Sequence, residues 1–167
     1  MNQPEQSLVR RTEVAAMEKW VTFGIEQEIY GIKVLRVQEV LRVPEIAPVP
    51  GAPPYVLGII NLRGNVVTVI DMRNRLRLGE RAYNDQTRII VVETRGQIAG
   101  ILVDRVDEVI ELSAENLAPL PNVGERENSR FLSGVAHRGD DVLILVDVDQ
   151  LLSAEHRELL ATPLLVV

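Results

Sequence analysis

The chain repeats itself, and that repeat limits its fold more than any other feature of the sequence. Gly31-Ile32-x-Val34-x-Arg36-Val37-x-Glu39-Val40 recurs as Gly100-Ile101-x-Val103-x-Arg105-Val106-x-Glu108-Val109, at an offset of 100 − 31 = 69 positions. Further along, Gly58-Ile59 answers Gly134-Val135, Arg63-Gly64 answers Arg138-Gly139, and the run Val66 to Asp71 answers Val142 to Asp147. The offset is now 134 − 58 = 76, or 138 − 63 = 75 for the Arg-Gly pair, a drift of a few residues that a loop insertion explains. Shared glycine and arginine positions, kept in order, point to two copies of one structural unit rather than to amphipathic strands that happen to look alike.

The unit reads as β. Trp20 to Ile25 alternates in polarity, Glu26-Gln27-Glu28 is a polar turn, and Ile29 to Ile32 returns as the second arm of a hairpin. The segment Val34 to Val43 fits either a helical turn leading into a strand or one bent strand. Pro44, Pro48, Pro50, Pro53 and Pro54 interrupt regular structure. After them come a short helix from Pro53 to Gly58, a strand Ile59 to Leu62, a turn at Arg63-Gly64-Asn65 and a strand Val66 to Ile70. Asp71 is placed to cap a helix Met72 to Leu78. The second copy runs through strands at 87–92, 97–103, 106–112, 131–136 and 142–146, with Ser113 placed to cap one helical turn. A helix over 12–18 and a final helix over 154–161 complete the reading. About five short strands per copy is the number a small closed barrel uses.

Composition narrows the function. Apolar residues are 46 % of the chain and aromatics 4 %, so the core is aliphatic. The net charge is −6 with basic residues dispersed among acids, which argues against a nucleic-acid partner. The absence of cysteine excludes disulfides, thiolate nucleophiles and cysteine metal sites. No apolar run approaches the roughly 20 residues of a membrane span, and the amino terminus lacks the apolar core of a signal peptide, which predicts a cytoplasmic protein.

No catalytic constellation stands out, and no cofactor or metal is expected. His137 and His156 lack the local pattern of a metal or triad site. Asp147 and Asp149 form an Asp-x-Asp pair, but a strand-end cap explains them. Asp104, Asp107 and Glu108 read as a solvated strand edge. Gly58 and Gly64 do not form a phosphate loop, since no Gly-Lys-Ser/Thr opens a helix. Arg63, at a tight turn, reads equally as an exposed turn cation or as a guanidinium positioned to pair with a carboxylate or with backbone carbonyls at a contact surface. Val34, Val37, Val40 and Leu41 suit a core, yet two small barrels have too much surface to bury every valine, and an exposed aliphatic patch marks a binding site.

Four stretches carry a family resemblance. Phe23 and Tyr30-Gly31-Ile32-x-Val34-x-x-Val37-Gln38-Glu39-Val40 resemble the opening of CheW-type coupling proteins. Pro48 to Gly64, continuing through Val69-Ile70-Asp71-Met72-Arg73, is similar to that family's most distinctive segment. Val103-Asp104-Arg105-Val106 and Leu143 to Asp147 also fit, so the resemblance covers about residues 18–160. It implies a mainly β fold of two SH3-like five-stranded β-barrel subdomains packed together, with short connecting helices and a C-terminal helix. The corresponding division is a tail over 1–17, a domain of two intertwined barrels over 18–161 with the second copy mostly from 87–147, and a tail over 162–167.

The resemblance further implies a non-catalytic adaptor that couples chemoreceptors to the histidine kinase CheA, or a paralogous adaptor of a related pathway such as pilus-driven motility. Its implied partners are the helical hairpin at the chemoreceptor's cytoplasmic tip and the kinase's regulatory domain, with recruitment to membrane-associated receptor arrays. The residues it assigns to the receptor groove are Gly58, Asn61, Arg63, Gly64 and Val109. Those it assigns to the kinase are Val34, Val37, Gln38 and Glu39. The loop 122–129 matches no family motif.

Overall fold

The computed structural model describes residues 16–121 and 130–152. The helix expected over 154–161, His156, most of the loop over 119–129 and most of the helix expected over 12–18 lie outside those residues.

Two hairpins of the first copy begin the fold. Strands β1 (Glu18–Ile25) and β2 (Glu28–Lys33) pair antiparallel. A 3-10 turn, Val34–Arg36, then leads into β3 (Val37–Arg42), which settles the ambiguity over that segment. Strands β4 (Val56–Leu62) and β5 (Asn65–Asp71) follow, and helix α1 (Met72–Arg75) ends the copy. The second copy repeats the series: β6 (Arg88–Thr94), β7 (Gln97–Val103), β8 (Arg105–Leu112), a 3-10 turn Ala114–Asn116, the two-residue β9 (Leu117–Ala118), β10 (Leu132–Arg138), β11 (Asp141–Val146) and α2 (Val148–Leu151).

The helix expected from Pro53 to Gly58 does not form. Val56 N–H donates to the Pro53 carbonyl in a single turn, and β4 starts at Val56. Tyr55 and Val56 are followed by Leu57, Ile59 and Ile60, and this β-rich run prevails over the helix-starting preference of Pro53. The cap at Asp71 does form, accepting from Arg73 N–H, but α1 is one turn long and ends at Arg75.

The repeats and the sheets do not coincide. One sheet has the order β8-β1-β2-β11-β10-β9 and the other β3-β6-β7-β5-β4. Each therefore takes the leading hairpin of one copy and the later strands of the other. The joins are equivalent in both: β2 runs parallel to β11 with Gly31 opposite Leu145, and β7 runs parallel to β5 with Gly100 opposite Val69. Each sheet also closes on itself through the chain. After β3 the backbone returns at Ala47, which exchanges hydrogen bonds of 2.9 and 2.8 Å with Ile59 of β4. After β8 it returns at β9, where Ala118 faces Val135 of β10.

Three apolar clusters fill the structure. Ile60, Val67, Val69, Ile89, Val91 and Leu102 pack inside the β3–β7 barrel. Trp20, Ile110, Leu112, Ala136, Leu143 and Leu145 pack inside the other. The largest cluster lies between the barrels and draws on both: Phe23, Ile25, Tyr30 and Ile32 from one, Ile70, Ile90, Val92 and Ile101 from the other, closed off by Met72, Phe131 and Leu151. Phe23 and Tyr30 stack with centroids 5.5 Å apart. Arg75 of α1 fixes this seam from outside, its guanidinium 5.0 Å from the Tyr55 ring and 5.2 Å from that of Phe131.

Gly58 and Gly134, matched in the repeat, have the same task. Both sit where a register shift interrupts the pairing of their strands, β4 with β5 and β10 with β11. A Cβ on Gly58 would stand 2.1 Å from the Ala47 carbonyl oxygen, and one on Gly134 would stand 2.8 Å from that of Ala118. Gly58 also has φ +150°, outside the usual range of a side-chain-bearing residue. In urea titrations Gly58→Ala should lose about 3 kcal/mol or fail to fold, and Gly134→Ala about 1–2 kcal/mol, as overpacking against backbone predicts. Equal, small losses would show that the barrel seams relax freely.

Asp71 supplies a second test. Burial pushes its carboxyl pKa up, against the lowering pull of the Arg73 and Asn74 N–H groups. Its contribution to stability is thus complete below the ordinary value of 3.8 and is lost as pH rises through the raised folded value. Asp71→Asn keeps the cap acceptor without the charge, so its stability relative to the parent should improve as pH rises from the ordinary value of 3.8 through the raised folded value. Asp71→Ala loses the cap and about 1 kcal/mol.

Candidate functional site

The turn between β4 and β5 displays Arg63. Arg63 and Gly64 both have positive φ, +52° and +84°, the pattern of a two-residue type I′ hairpin. Asn61 fastens the turn, its Oδ1 accepting from Gly64 N–H at 2.9 Å. From this platform the Arg63 guanidinium reaches β3 and grips Glu39 with two bonds, Nη1 to Oε2 at 2.5 Å and Nη2 to Oε1 at 3.0 Å. Of its two readings from sequence, the structure supports the paired guanidinium. It remains open to contact all the same, with 74 % of its side chain exposed.

Glu39 owes its position to strand alternation. Along β3 the half-buried Val37, Glu39 and Leu41 alternate with the exposed Gln38, Val40 and Arg42. Glu39 thus turns toward the barrel seam where Arg63 meets it, while Gln38 faces outward and donates to Glu93 Oε2 at 2.8 Å.

The second barrel carries a related pair: Arg138, the last residue of β10 and one position before the turn, bonds Glu108 Oε1 through Nη1 at 2.8 Å. Val40 and Val109 are likewise matched and both exposed, as are Val66 and Val142. The first pair ties a hairpin turn, and the second a strand end, to the strand on the other side of the barrel seam.

The residues assigned by resemblance are thus distributed unevenly. Asn61, Arg63 and Gly64 form one turn. Gly58 is buried and serves barrel closure. Val109 lies on β8 of the other barrel, 58 % exposed and opposite Val21 of β1. Val34 and Val37 are half-buried near the start of β3. The receptor and kinase sets are physically joined, because Arg63 of one holds Glu39 of the other.

Sequence reasoning passed over Leu35. It projects from the 3-10 turn with 94 % exposure, held between two anchors. On one side Lys33 pairs with Glu18 and sits over the Trp20 ring. On the other, Arg36 pairs with Asp149 at 3.0 Å, and Asp149 also accepts from Thr94. The repeat carried the signal: the position matching Leu35 is Asp104, which is occupied structurally.

Asp104 in fact corrects the reading of a solvated edge. Its side chain is 11 % exposed and pairs with Arg73 at 2.9 Å and with Arg81 at 3.3 Å. Arg73, nearly buried, also pairs with Glu26 and donates to the Gly79 carbonyl at 2.7 Å. Burial works against its charge, but Glu26 and Asp104 outweigh that and hold its pKa above the usual arginine value. The other acidic pair behaves as expected: Asp147 Oδ1 accepts from Asp149 and Gln150 N–H at the start of α2. His137 lies on β10, not in the turn, and is exposed. Among the described residues no cluster of histidine and carboxylate groups is arranged to hold a metal ion.

These features define a double-barrel β-protein whose projecting aliphatic side chains and paired charges are presented on strands and on the turns between them. The chain belongs to the family described as the CheW-like domain, whose model matches residues 19–156. It is 33 % identical over 142 residues to the chemotaxis protein CheW of Klebsiella aerogenes, covering 85 % of this chain and 86 % of that protein. It is 28 % identical over 145 residues to protein FrzA of Myxococcus xanthus, covering 86 % and 91 %. Among solved structures it superposes on the scaffolding protein TtCheW of Thermoanaerobacter tengcongensis with a TM-score of 0.75 at 35 % identity, over 83 % of this chain and 94 % of that one. The chain is thus a CheW-type chemotaxis adaptor, mainly β and built on two packed sheets. No helix among the described residues is long and apolar enough to cross a membrane.

The clasp can be weighed by itself. Exposed ion pairs contribute about 0.2–1 kcal/mol even in good geometry. A double-mutant cycle with Arg63→Ala and Glu39→Ala, read by thermal unfolding, should return a coupling of less than about 1 kcal/mol. A coupling several times larger would make Arg63 a structural residue first.

Proposed function

We propose that this chain is a non-catalytic scaffold that joins chemoreceptors to the histidine kinase CheA, performing no phosphoryl transfer itself. The observation that carries the reading is the Arg63–Glu39 clasp, since it puts a charged turn and the exposed side of β3 on one rigid surface. Similarity to proteins named for chemotaxis and for scaffolding supports it.

In this reading the tip of the receptor's helical hairpin lies in the groove between barrels and is met by Asn61, Arg63, Gly64 and Val109, with Gly58 shaping the strand beneath them. A helix presenting one face to such a groove reads a few anchor residues. The regulatory domain of the kinase meets Val34, Val37, Gln38 and Glu39. Leu35, fully presented on its turn, adds an aliphatic anchor beside them. Such contacts recruit the protein from the cytoplasm to receptor arrays at the membrane. Resemblance to FrzA, which bears a different name, favours one second reading, an adaptor of a parallel pathway such as pilus-driven motility.

Two variants test the assignment. Arg63→Glu should weaken binding to a receptor-tip fragment at least tenfold with an unchanged circular dichroism spectrum. The exchange Arg63→Glu with Glu39→Arg should restore the clasp but not the binding; full recovery would mean that Arg63 acts only by holding Glu39. Val37→Asp should abolish binding to the CheA regulatory domain, and unaltered affinity would reject that surface. Pull-down with the native chain, identifying the kinase and receptor that co-purify, separates the chemotaxis pathway from a parallel one.

A further inference from the structure

The β3–β7 barrel has a cleft that neither proposed partner surface uses. It measures about 730 Å³ and opens between the end of β3, the proline-bearing segment after it and the connection leading into β6. Its floor is Val43, Ile46 and Leu57, which pack from outside against the apolar interior of the barrel. Tyr83, half exposed, forms part of the wall.

Two arginines line it. Arg42 and Arg88 stand directly opposite each other on β3 and β6. Residues so paired have their Cα atoms about 5 Å apart, so two positive charges lie side by side. Like charges in that relation are destabilising unless something answers them. Among the described residues no carboxylate lies within 4.0 Å of either guanidinium. Among the described residues Arg88 donates to the Asp85 and Thr87 carbonyls alone, at 2.7 and 2.8 Å, which fixes its orientation and leaves it without an ion pair. Among the described residues Asp85 is the one acid lining the cleft, so two cations face one anion there in a chain whose net charge is −6.

We propose that this cleft is a docking site for an extended acidic segment of a partner protein in which carboxylates alternate with aliphatic side chains. The carboxylates pair with Arg42 and Arg88, and the aliphatic side chains settle on Val43, Ile46 and Leu57. Arginine suits the task because its planar fork takes a carboxylate with two bonds. An apolar floor next to a charged pair favours a segment that carries both characters over a free small anion, which would leave the floor wet. The site stands apart from the receptor and kinase assignments, and its test uses neither protein.

The probe is a fluorescein-labelled peptide alternating Asp with Leu, followed by fluorescence anisotropy on the full chain in about 0.15 M salt. Binding should weaken at least tenfold when Asn replaces each Asp of the peptide, and at least tenfold in Arg42→Glu protein. Arg42 is the residue to change because its side chain is exposed. Should Arg42→Glu alter the circular dichroism spectrum, Arg42→Gln carries the same comparison with an expected loss of several fold. Tyr83→Ala should weaken binding by a smaller factor. Equal affinity for the Asp and Asn peptides, or native affinity in the folded Arg42 variant, would overturn the proposal. So would Arg42-dependent binding to phosphatidylserine vesicles with no binding of the peptide, which would make the cleft a lipid-facing patch.

Discussion

Everything in this protein rests on the apolar cluster between the two barrels. Phe23, Ile25, Tyr30 and Ile32 on one side meet Ile70, Ile90, Val92 and Ile101 on the other, all of them buried. A barrel of five or six short strands encloses only a small interior, and here each interior holds half a dozen buried side chains. Small domains bury too little surface to be stable with ease. Placing apolar residues on the outer faces as well lets each barrel complete the other. The cost is that strands such as β6 and β7 are apolar on both faces, which is why Ile89, Ile90, Val91 and Val92 run without interruption.

That cluster also determines what remains for contact. Where the two barrels meet, the outer faces are covered. Where they part, the same faces continue into the open as Val40 and Val66 on one barrel and Val109 and Val142 on the other. The exposed valines are therefore the uncovered margin of a core-forming surface, at positions matched by the repeat. The two arginine–glutamate clasps add charge at the same margins, each spanning a barrel seam.

Much of this was legible in the sequence because the repeat carries it. The strand pairs, the turn at Arg63-Gly64 and, one residue later than expected, the turn at Gly139-Asp140, and the caps at Asp71 and Asp147 follow from alternation and local hydrogen bonding. The exchange of hairpins between copies was not, because strand alternation is the same whichever partner a strand finds. The role of Gly58 was hidden for a similar reason: the carbonyl that excludes a side chain belongs to Ala47, eleven positions away in the chain and across the seam. Asp104 was misread because its partner Arg73 lies on a helix of the other copy. The pairing of Glu39 with Arg63 needed the same long-range knowledge, although the recurrence of both residues in the second copy was a visible clue. Leu35 drew no notice because an aliphatic residue within an aliphatic run looks like core.

The exchange of hairpins makes the two barrels unequal in one respect. The β3–β7 barrel occupies a single uninterrupted stretch, 37–103, whereas the strands of its companion lie on both sides of that stretch. During synthesis the inner barrel is complete as soon as β7 has emerged, and the leading hairpin must wait for β8 and β11 to be translated. Strand order thus makes one barrel local in sequence and the other non-local, and pairings between distant segments are the slower to close.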